Sequence, residues 1–169
     1  MMHGTDTISG SVLGLDSQNW TLGHRFLSTE KVVFQQADDY ATQLHNEGKV
    51  IASFAERREV IEHGLNRLSA SLNATVATDT ALLDEVTALV EWPVVLQAGF
   101  EEHFLDVPQE CLILTMQQNQ KYFPLLDTDG KLMSRFLLVS NLQTDDPSDI
   151  IQGNERVLRA RLSDAEFFY

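Results

Sequence analysis

The sequence predicts an α+β fold with a mixed, mainly antiparallel sheet and several packed helices. Strand-like patterns of period two and helical stripes of apolar residues follow one another irregularly, without the regular strand–helix–strand repeat of a parallel sheet. Hydrophobic residues make up 43% of the 169 residues and charged residues 22%, which is enough apolar material for a packed core. We therefore expect a single α+β module over residues 1–169.

The first third of the chain predicts a hairpin followed by a short helix. Residues 8–15 are rich in β-forming side chains, and the polar residues 16–19 are a turn signal. Residues 20–26 then alternate apolar and polar side chains with the period of a strand. A short helix is expected over about residues 37–46, ended by Gly48.

Two helices are predicted in the middle of the chain. Ser53 and Glu56 have the spacing of a capping box, and apolar side chains follow at helical spacing: Phe54, Ile61, Leu65, Leu68 and Leu72. Residues 73–78 are expected to form a small polar loop. Asp79 is placed to cap the second helix, which carries Leu82, Leu83, Val86, Leu89 and Val90 and ends before Trp92 and Pro93.

The second half predicts a buried strand, a helix, a hairpin and a long closing helix. Residues 94–96 form an apolar run typical of a buried strand, and a short helix is expected from about 109 to 118. Asp129 and Gly130 favour a hairpin turn between strands at residues 122–126 and 135–142. Asp146 suits the cap of the closing helix.

Three consecutive aromatic residues at 167–169 close the chain. At about 100° per residue, one stripe of the closing helix carries Ile151, Leu158, Leu162, Ala165 and Tyr169. Phe167 points away from that stripe, so burial on one side cannot cover all three rings. We therefore expect either that the chain folds back over them, or that this is a piece of a larger protein whose other parts or subunits cover them.

Composition restricts the classes of function. The net charge of −13 argues against an autonomous nucleic-acid-binding domain, although local basic contacts remain open. No apolar run of about 18 residues predicts a membrane span, and no secretory signal peptide is visible. The single cysteine, Cys111, lies in an apolar run and is expected to be a small buried residue in a reducing, cytosolic protein.

No residue pattern predicts catalysis or metal binding. The five histidines are far apart: His3, His24, His45, His63 and His103. We expect His24 to be structural, on the apolar face of a strand, and His63 to be solvated. Paired carboxylates are explained by capping and solubility, and neither a nucleophile elbow nor a phosphate-binding loop is present in the sequence.

Two segments carry candidate contact residues. In residues 117–121, Gln120 and Lys121 stand beside the aromatic pair at 122–123 and suit RNA contacts; the alternative is a helix end running into a strand whose aromatics are core. On the closing helix, Arg156 lies roughly opposite the apolar stripe, Arg159 lies off to one side and Arg161 flanks the stripe. Glu155 has the spacing to pair with Arg159. These arginines form either a solvated face or, together with Phe167, a contact surface for a partner's carboxylates or phosphates.

Four stretches carry a specific resemblance. Residues 23–27 (GHRFL), 90–108 (VEWPVVLQAGFEEHFLDVP), 115–132 (TMQQNQKYFPLLDTDGKL) and 153–169 (GNERVLRARLSDAEFFY) resemble, in order and spacing, the β subunit of the bacterial two-subunit glycine–tRNA ligase. Between residues 29 and 80 the agreement is limited to the helix pattern and to residues 48–58 (GKVIASFAERR). Residues 117–119, Ser140 and Leu142 depart from the family pattern.

The resemblance implies a longer β subunit within a cytoplasmic α₂β₂ ligase assembly. The α subunit would hold the catalytic core with ATP, Mg and glycine, and the β subunit would contribute binding of tRNA(Gly). No cofactor and no catalytic residue is implied for this segment. Two hypotheses stay open: a module that positions tRNA or supports the assembly, and a scaffolding domain without RNA contact. A stand-alone hydrolase, such as an editing activity, has no motif in its favour.

Overall fold

The computed structural model describes residues 1–77 and 79–168. The chain divides into two compact units, the first ending at Arg57 and the second beginning at Arg58. Helices and antiparallel strands occur together, which confirms the predicted α+β class and the antiparallel sheet. The single module over residues 1–169 stays a prediction.

Three short antiparallel hairpins build the first unit. They are β1 (Met2–His3) with β2 (Asp6–Thr7), β3 (Ser11–Val12) with β4 (Leu15–Asp16), and β5 (Trp20–Leu22) with β6 (Lys31–Val33).

The predicted first hairpin is wrong in its pairing. Residues 8–15 do not pair with β5; instead Val12 pairs with Leu15 around Leu13 and Gly14, whose φ angles of +52° and +78° are those of a two-residue hairpin turn. The strand expected to reach residue 26 ends at Leu22 and pairs with β6.

The strand ends there because Gly23 lies against Gly48. A Cβ on Gly23 would stand 2.5 Å from the Gly48 Cα, and the next amide, His24 N, donates to the Gly48 carbonyl at 2.6 Å. Gly48 closes the predicted short helix, which is confirmed as a 3-10 turn (Ala37–Asp39), α1 (Tyr40–Gln43) and a π turn (Leu44–Gly48). The small core of this unit consists of Val32, Phe34 and Leu44.

His24 is buried and structural, as predicted, but it lies after the strand rather than on it. Its Nδ1 accepts hydrogen bonds from the amides of Phe26 and Leu27, each at 3.2 Å. The ring therefore holds the turn that follows β5. His63 is exposed, as predicted.

The second unit has three layers around a four-stranded antiparallel sheet. Its helices are α2 (Phe54–Ser71, which begins in the first unit), α3 (Thr80–Leu89), α4 (Gln109–Leu114) and α5 (Ser148–Phe168), with a 3-10 turn (Glu102–Asp106) and a π turn (Thr115–Asn119). The strands are β7 (Thr75–Val76), β8 (Val94–Gly99), β9 (Phe123–Leu126) and β10 (Leu132–Ser140), in the order β7-β9-β10-β8.

The central strand β10 is buried on both faces. Phe136 and Leu138 belong to the core shared with α4 and α5, whereas Leu137 belongs to the core shared with α2 and α3. Successive side chains of a strand point to opposite faces, so one apolar run supplies both cores. α2 and α3 thus cover one face of the sheet, and α4 and α5 cover the other.

The predicted caps and turn are confirmed. Ser53 Oγ accepts from Glu56 N at 3.3 Å at the start of α2, and Asp79 Oδ1 accepts from Ala81 N at 2.9 Å at the start of α3. Asp127 Oδ1 accepts from the amides of Asp129 and Lys131 in the hairpin between β9 and β10.

Four local expectations are corrected. Part of the predicted polar loop 73–78 is strand β7, which pairs with β9; Thr78 lies outside the described residues. β8 is a mostly half-buried edge strand rather than a buried one. Leu89 is exposed at the end of α3, where the extended Val90 turns inward instead. Cys111 is exposed, since its neighbour Leu112 occupies the core side of α4.

No helix in the part of the chain that the structure describes is long and apolar enough to cross a membrane.

Two helix glycines give opposite predictions for substitution by alanine. A Cβ on Gly64 of α2 would lie 2.5 Å from Val95 Cγ2 and 2.9 Å from Val95 Cβ, on the edge strand β8. We expect Gly64→Ala to lower the free energy of unfolding by about 1–2 kcal/mol, because such overpacking costs more than the helix propensity gained. Gly153 of α5 has no atom within 4 Å of a Cβ, so Gly153→Ala should raise that free energy by about 0.5–1 kcal/mol.

Urea denaturation of the two variants beside the parent chain measures both changes. A stabilising Gly64→Ala would contradict the close packing of α2 on β8.

Candidate functional site

Helix α5 positions the arginines singled out in the sequence. Asp146 Oδ1 accepts from Ser148 N at 3.0 Å and caps the helix, as predicted. Leu158 and Leu162 are fully buried against the sheet, with Ile151 and Ala165 partly buried beside them. The predicted stripe is therefore correct over these four residues, whereas Tyr169 lies outside the described residues. The opposite side of α5 is left in solvent.

The three arginines have different surroundings. Arg159 Nε donates to Glu101 Oε1 at 2.6 Å, and Arg161 Nη1 lies 3.9 Å from Asp164 Oδ2. Arg156 is exposed and forms no ion pair with any residue in the described ranges. Arg156 and Arg161 are thus the more available cations of α5, whereas Arg159 is engaged within the fold.

The predicted pair between Glu155 and Arg159 is wrong. Glu155 Oε1 instead accepts a hydrogen bond from Gly99 N at 2.9 Å, at the free edge of β8. A backbone hydrogen bond at Glu101, followed by the Arg159 guanidinium, holds the pKa of the Glu101 carboxyl below its usual value. Two separate contacts therefore tie α5 to the end of β8.

These contacts lie in a cleft of about 560 Å³ between α5, β8 and β10. Its charged and polar lining includes Glu101, Glu102, Ser134, Arg135, Glu155 and Arg159. Because three carboxylates and two guanidinium groups share this lining, neither sign dominates strongly, and the cleft is not a strong site for an anion or a cation.

Gln120 and Lys121 lie apart from the arginines. Lys121 Nζ pairs with Glu85 Oε2 of α3 at 3.0 Å, and the nearby Gln117 Nε2 donates to the Ala77 carbonyl at 2.8 Å. Lys121 thus contacts the helix layer on the opposite face of the sheet from α5. Gln120 is half-buried at the end of the π turn. The structure does not gather the candidate contact residues into one site.

Tyr122 and Phe123 are core residues. Of the two interpretations of residues 117–123, their burial favours a helix end that runs into a strand, and it removes these two rings as RNA contacts. Tyr122 packs against Phe136 with ring centroids 4.7 Å apart, and its hydroxyl donates to Asn154 Oδ1 of α5 at 2.7 Å. Burial raises the pKa of the Tyr122 hydroxyl to about 12.

Phe167 and Phe168 stand in solvent at the end of α5. Phe167 is 84% exposed and Phe168 is 85% exposed, with their rings edge to face at 5.3 Å. No described residue covers them, which agrees with the expectation that Phe167 points away from the apolar stripe.

Comparison with known proteins identifies the family. A family described as "Glycyl-tRNA synthetase beta subunit" matches residues 1–169. This chain belongs to the glycyl-tRNA synthetase beta subunit family. It is 72% identical over 169 residues to the glycine–tRNA ligase beta subunits of Neisseria meningitidis and Neisseria gonorrhoeae, covering all of this chain and 25% of each relative. It is 58% identical over 164 residues to that of Ralstonia nicotianae, covering 97% of this chain and 23% of the relative.

The chain therefore spans about a quarter of the length of these glycyl-tRNA synthetase beta subunits. The family resemblance found in the sequence is confirmed. The stretches that carried it include β8 (within 90–108), the segment from the π turn through the β9–β10 turn (within 115–132) and, over 153–168, most of α5. These elements meet where Glu155 and Tyr122 make their contacts.

Within residues 1–77 and 79–168 of this glycyl-tRNA synthetase beta subunit segment, no three His, Cys, Asp or Glu are placed to hold a metal ion.

The sequence did not predict a cavity in the first unit that is lined by Trp20, Phe34 and Tyr40. Its only sequence signal is the presence of these three rings between residues 20 and 40. Their convergence depends on hairpin pairing that the sequence did not predict correctly.

The buried Tyr122 hydroxyl predicts an alkaline loss of stability. A folded-state pKa of about 12, above the ordinary value of 10, means that the neutral phenol is favoured in the folded protein. Its contribution to stability is complete below pH 10 and is lost as the pH rises toward 12. Tyr122→Phe should remove this part of the pH dependence, while lowering the free energy of unfolding at neutral pH by about 1 kcal/mol because the hydrogen bond to Asn154 is absent.

Ultraviolet titration of tyrosinate follows the ionisation directly, and urea denaturation at several pH values follows the stability. A titration curve that is unchanged in Tyr122→Phe at high pH would contradict this assignment.

Proposed function

We propose that residues 1–169 are a non-catalytic module of the glycine–tRNA ligase beta subunit, which supports ATP-dependent attachment of glycine to tRNA(Gly) by positioning the tRNA or the assembly. The observation that carries this proposal is the outer face of α5. Arg156, opposite the buried stripe, and Arg161, beside that stripe, are both exposed to solvent on a helix whose other side is locked into the core through Leu158 and Leu162. Exposed guanidinium groups on a firmly packed helix suit phosphates or carboxylates of a partner.

The partners proposed are the ligase alpha subunit, the remaining part of the beta subunit in an α₂β₂ assembly, and tRNA(Gly). The relatives' name, glycine–tRNA ligase beta subunit, supports an assembly with a second type of subunit and a reaction on tRNA. We place ATP and Mg in the alpha subunit and the assembly in the cytoplasm. These assignments apply to this chain what its family implies for whole beta subunits, of which the chain covers about a quarter.

A scaffolding role without RNA contact is the second candidate function. Residues 58–169 carry eighteen acidic and eight basic side chains, a net charge of −10, which repels phosphate on average. The exposed rings of Phe167 and Phe168 are typical anchors of a protein interface. This alternative predicts that α5 contacts another part of the ligase instead of tRNA.

Charge reversal on α5 distinguishes the two functions. We expect Arg156→Glu combined with Arg161→Glu, introduced into the complete ligase assembly, to weaken tRNA(Gly) binding. The slope of log affinity against log salt should fall by about 1 for each phosphate that these two arginines neutralise in the parent protein. Arg159 is left unchanged, because its reversal would also break the contact with Glu101. Filter binding across a salt series measures both the affinity and the slope.

Arg67→Glu is the matched control, since Arg67 is an exposed helical arginine on α2. It should leave the affinity for tRNA(Gly) unchanged. Unchanged tRNA binding in the α5 variant, together with weaker subunit association in sedimentation, would refute tRNA contact by α5 and support the scaffolding function.

A further inference from the structure

A cavity of about 430 Å³ opens in the first unit, between β5, the residue after β6 and α1. Three aromatic residues line it: Trp20, Phe34 and Tyr40. The other lining residues are Met1, Met2, Gln18, Thr21 and Ala37, so the described residues bring no carboxylate to the lining. Its volume lies within the range of sites for small organic groups, about 300–1,000 Å³.

The fold holds the three rings in place from separate elements. Trp20 pairs with Val33 across β5 and β6, and the amide of Phe34 donates to the Asn19 carbonyl at 2.8 Å. Phe34 is buried in the small core, and its ring lies 5.1 Å from that of Tyr40. The buried ring therefore supports the exposed one. Trp20 and Tyr40 remain 37% and 49% exposed and face the opening.

A cation stands over one face of the Trp20 ring. Lys31 Nζ lies 3.7 Å from the ring centroid, although Lys31 does not line the cavity. The ammonium group thus covers one face of the indole, and a base would stack on the part of Trp20 that lines the cavity. An aromatic surface beside a lysine is the combination that proteins use for single-stranded nucleic acid, with a base on the ring and the cation near the backbone phosphate.

The charge distribution opposes a nucleic-acid ligand less in this unit than in the second one. Residues 1–57 carry seven acidic and four basic side chains, a net charge of −3, against −10 for residues 58–169. At the cavity, Gln18 and Thr21 add side-chain donors and acceptors that can hydrogen-bond the edge of a base. An apolar protein side chain in the cavity would form no hydrogen bonds with Gln18 and Thr21.

We propose that this cavity binds one unstacked nucleobase from a single-stranded segment of RNA, with Trp20 and Tyr40 as stacking surfaces and Lys31 beside the adjoining phosphate. The proposal rests on the proposed function in tRNA positioning and adds a second contact region to it, separate from the arginines of α5. Stacking on aromatic side chains does not require a particular base, so the ligand class is an unpaired nucleotide and not a defined sequence.

Substitution of Trp20 in the complete ligase assembly tests the site. The probes are tRNA(Gly) and a single-stranded oligouridylate of about six nucleotides, a length within the usual site sizes for single strands. We expect Trp20→Ala to weaken binding of both probes by about 5- to 150-fold, the reduction typical of removing one stacked base. Trp20→Phe keeps a ring and should retain most of the affinity, which separates stacking from a general loss of structure.

Phe26→Ala is the matched control. Phe26 is an exposed aromatic of the same unit that also lies near a cation, with its ring centroid 5.6 Å from Arg25 Cζ, but it does not line the cavity. It should leave both affinities within about twofold, well below the effect of one stacked base. Thermal melting of each variant checks that the assembly stays folded.

The outcomes separate this inference from the proposed function. If Trp20→Ala leaves both affinities unchanged while the α5 charge reversal weakens tRNA binding, the nucleobase site is refuted and tRNA positioning stands. If Trp20→Ala weakens subunit association and not RNA binding, the cavity receives a protein side chain and the inference is overturned. Equal reductions in affinity for Trp20→Ala and Trp20→Phe would also refute stacking as the cause.

Discussion

The second unit depends on the double-sided burial of strand β10. Phe136, Leu137 and Leu138 are each almost completely removed from solvent, although they point alternately to opposite faces of the sheet. A strand with several consecutive apolar residues is stable only when both faces are covered along that run. This requirement places α2 and α3 on one side and α4 and α5 on the other. The orientation of α5, and with it the direction of its arginines, follows from that burial.

The net charge is informative about binding partners only when it is counted separately for the two units. The overall charge of −13 argues against nucleic acid when it is treated as one number, but most of the excess acid lies after residue 57. Short-range contacts respond to neighbouring groups within about a Debye length, roughly 8–10 Å in physiological salt. The guanidinium of Arg159 illustrates this, because its nearest partner, Glu101, neutralises it inside the fold. Arg156 carries the same guanidinium group, but no described carboxylate pairs with it.

The elements with strong local signals were predictable from the sequence, and the long-range pairings were not. The caps at Ser53, Asp79 and Asp146 involve backbone groups two or three residues away, so spacing alone identified them. Strand β7 and the partner of Trp20 depend on distant segments, and two- or three-residue strands carry no readable period.

The same distinction explains the candidate site. The stripe of α5 was correct because it is a property of one helix. The partners of Glu155 and Arg159 were wrong because helical spacing made a local pair plausible, whereas tertiary contacts with β8 and Glu101 satisfy both groups. The exposure of Cys111 was missed for a related reason: an apolar run does not tell which of its members faces the core.

The contact between Glu155 and Gly99 also affects how the sheet ends. β8 is an outermost strand, and such a border presents unused amides that invite a foreign strand to add to it. The Glu155 carboxylate occupies the Gly99 amide and brings a negative charge to that border. A competing chain would have to displace the carboxylate and leave it without its hydrogen bond before it could extend the sheet there. One side chain thus both fastens a helix and opposes the addition of a strand at this end of the sheet's border.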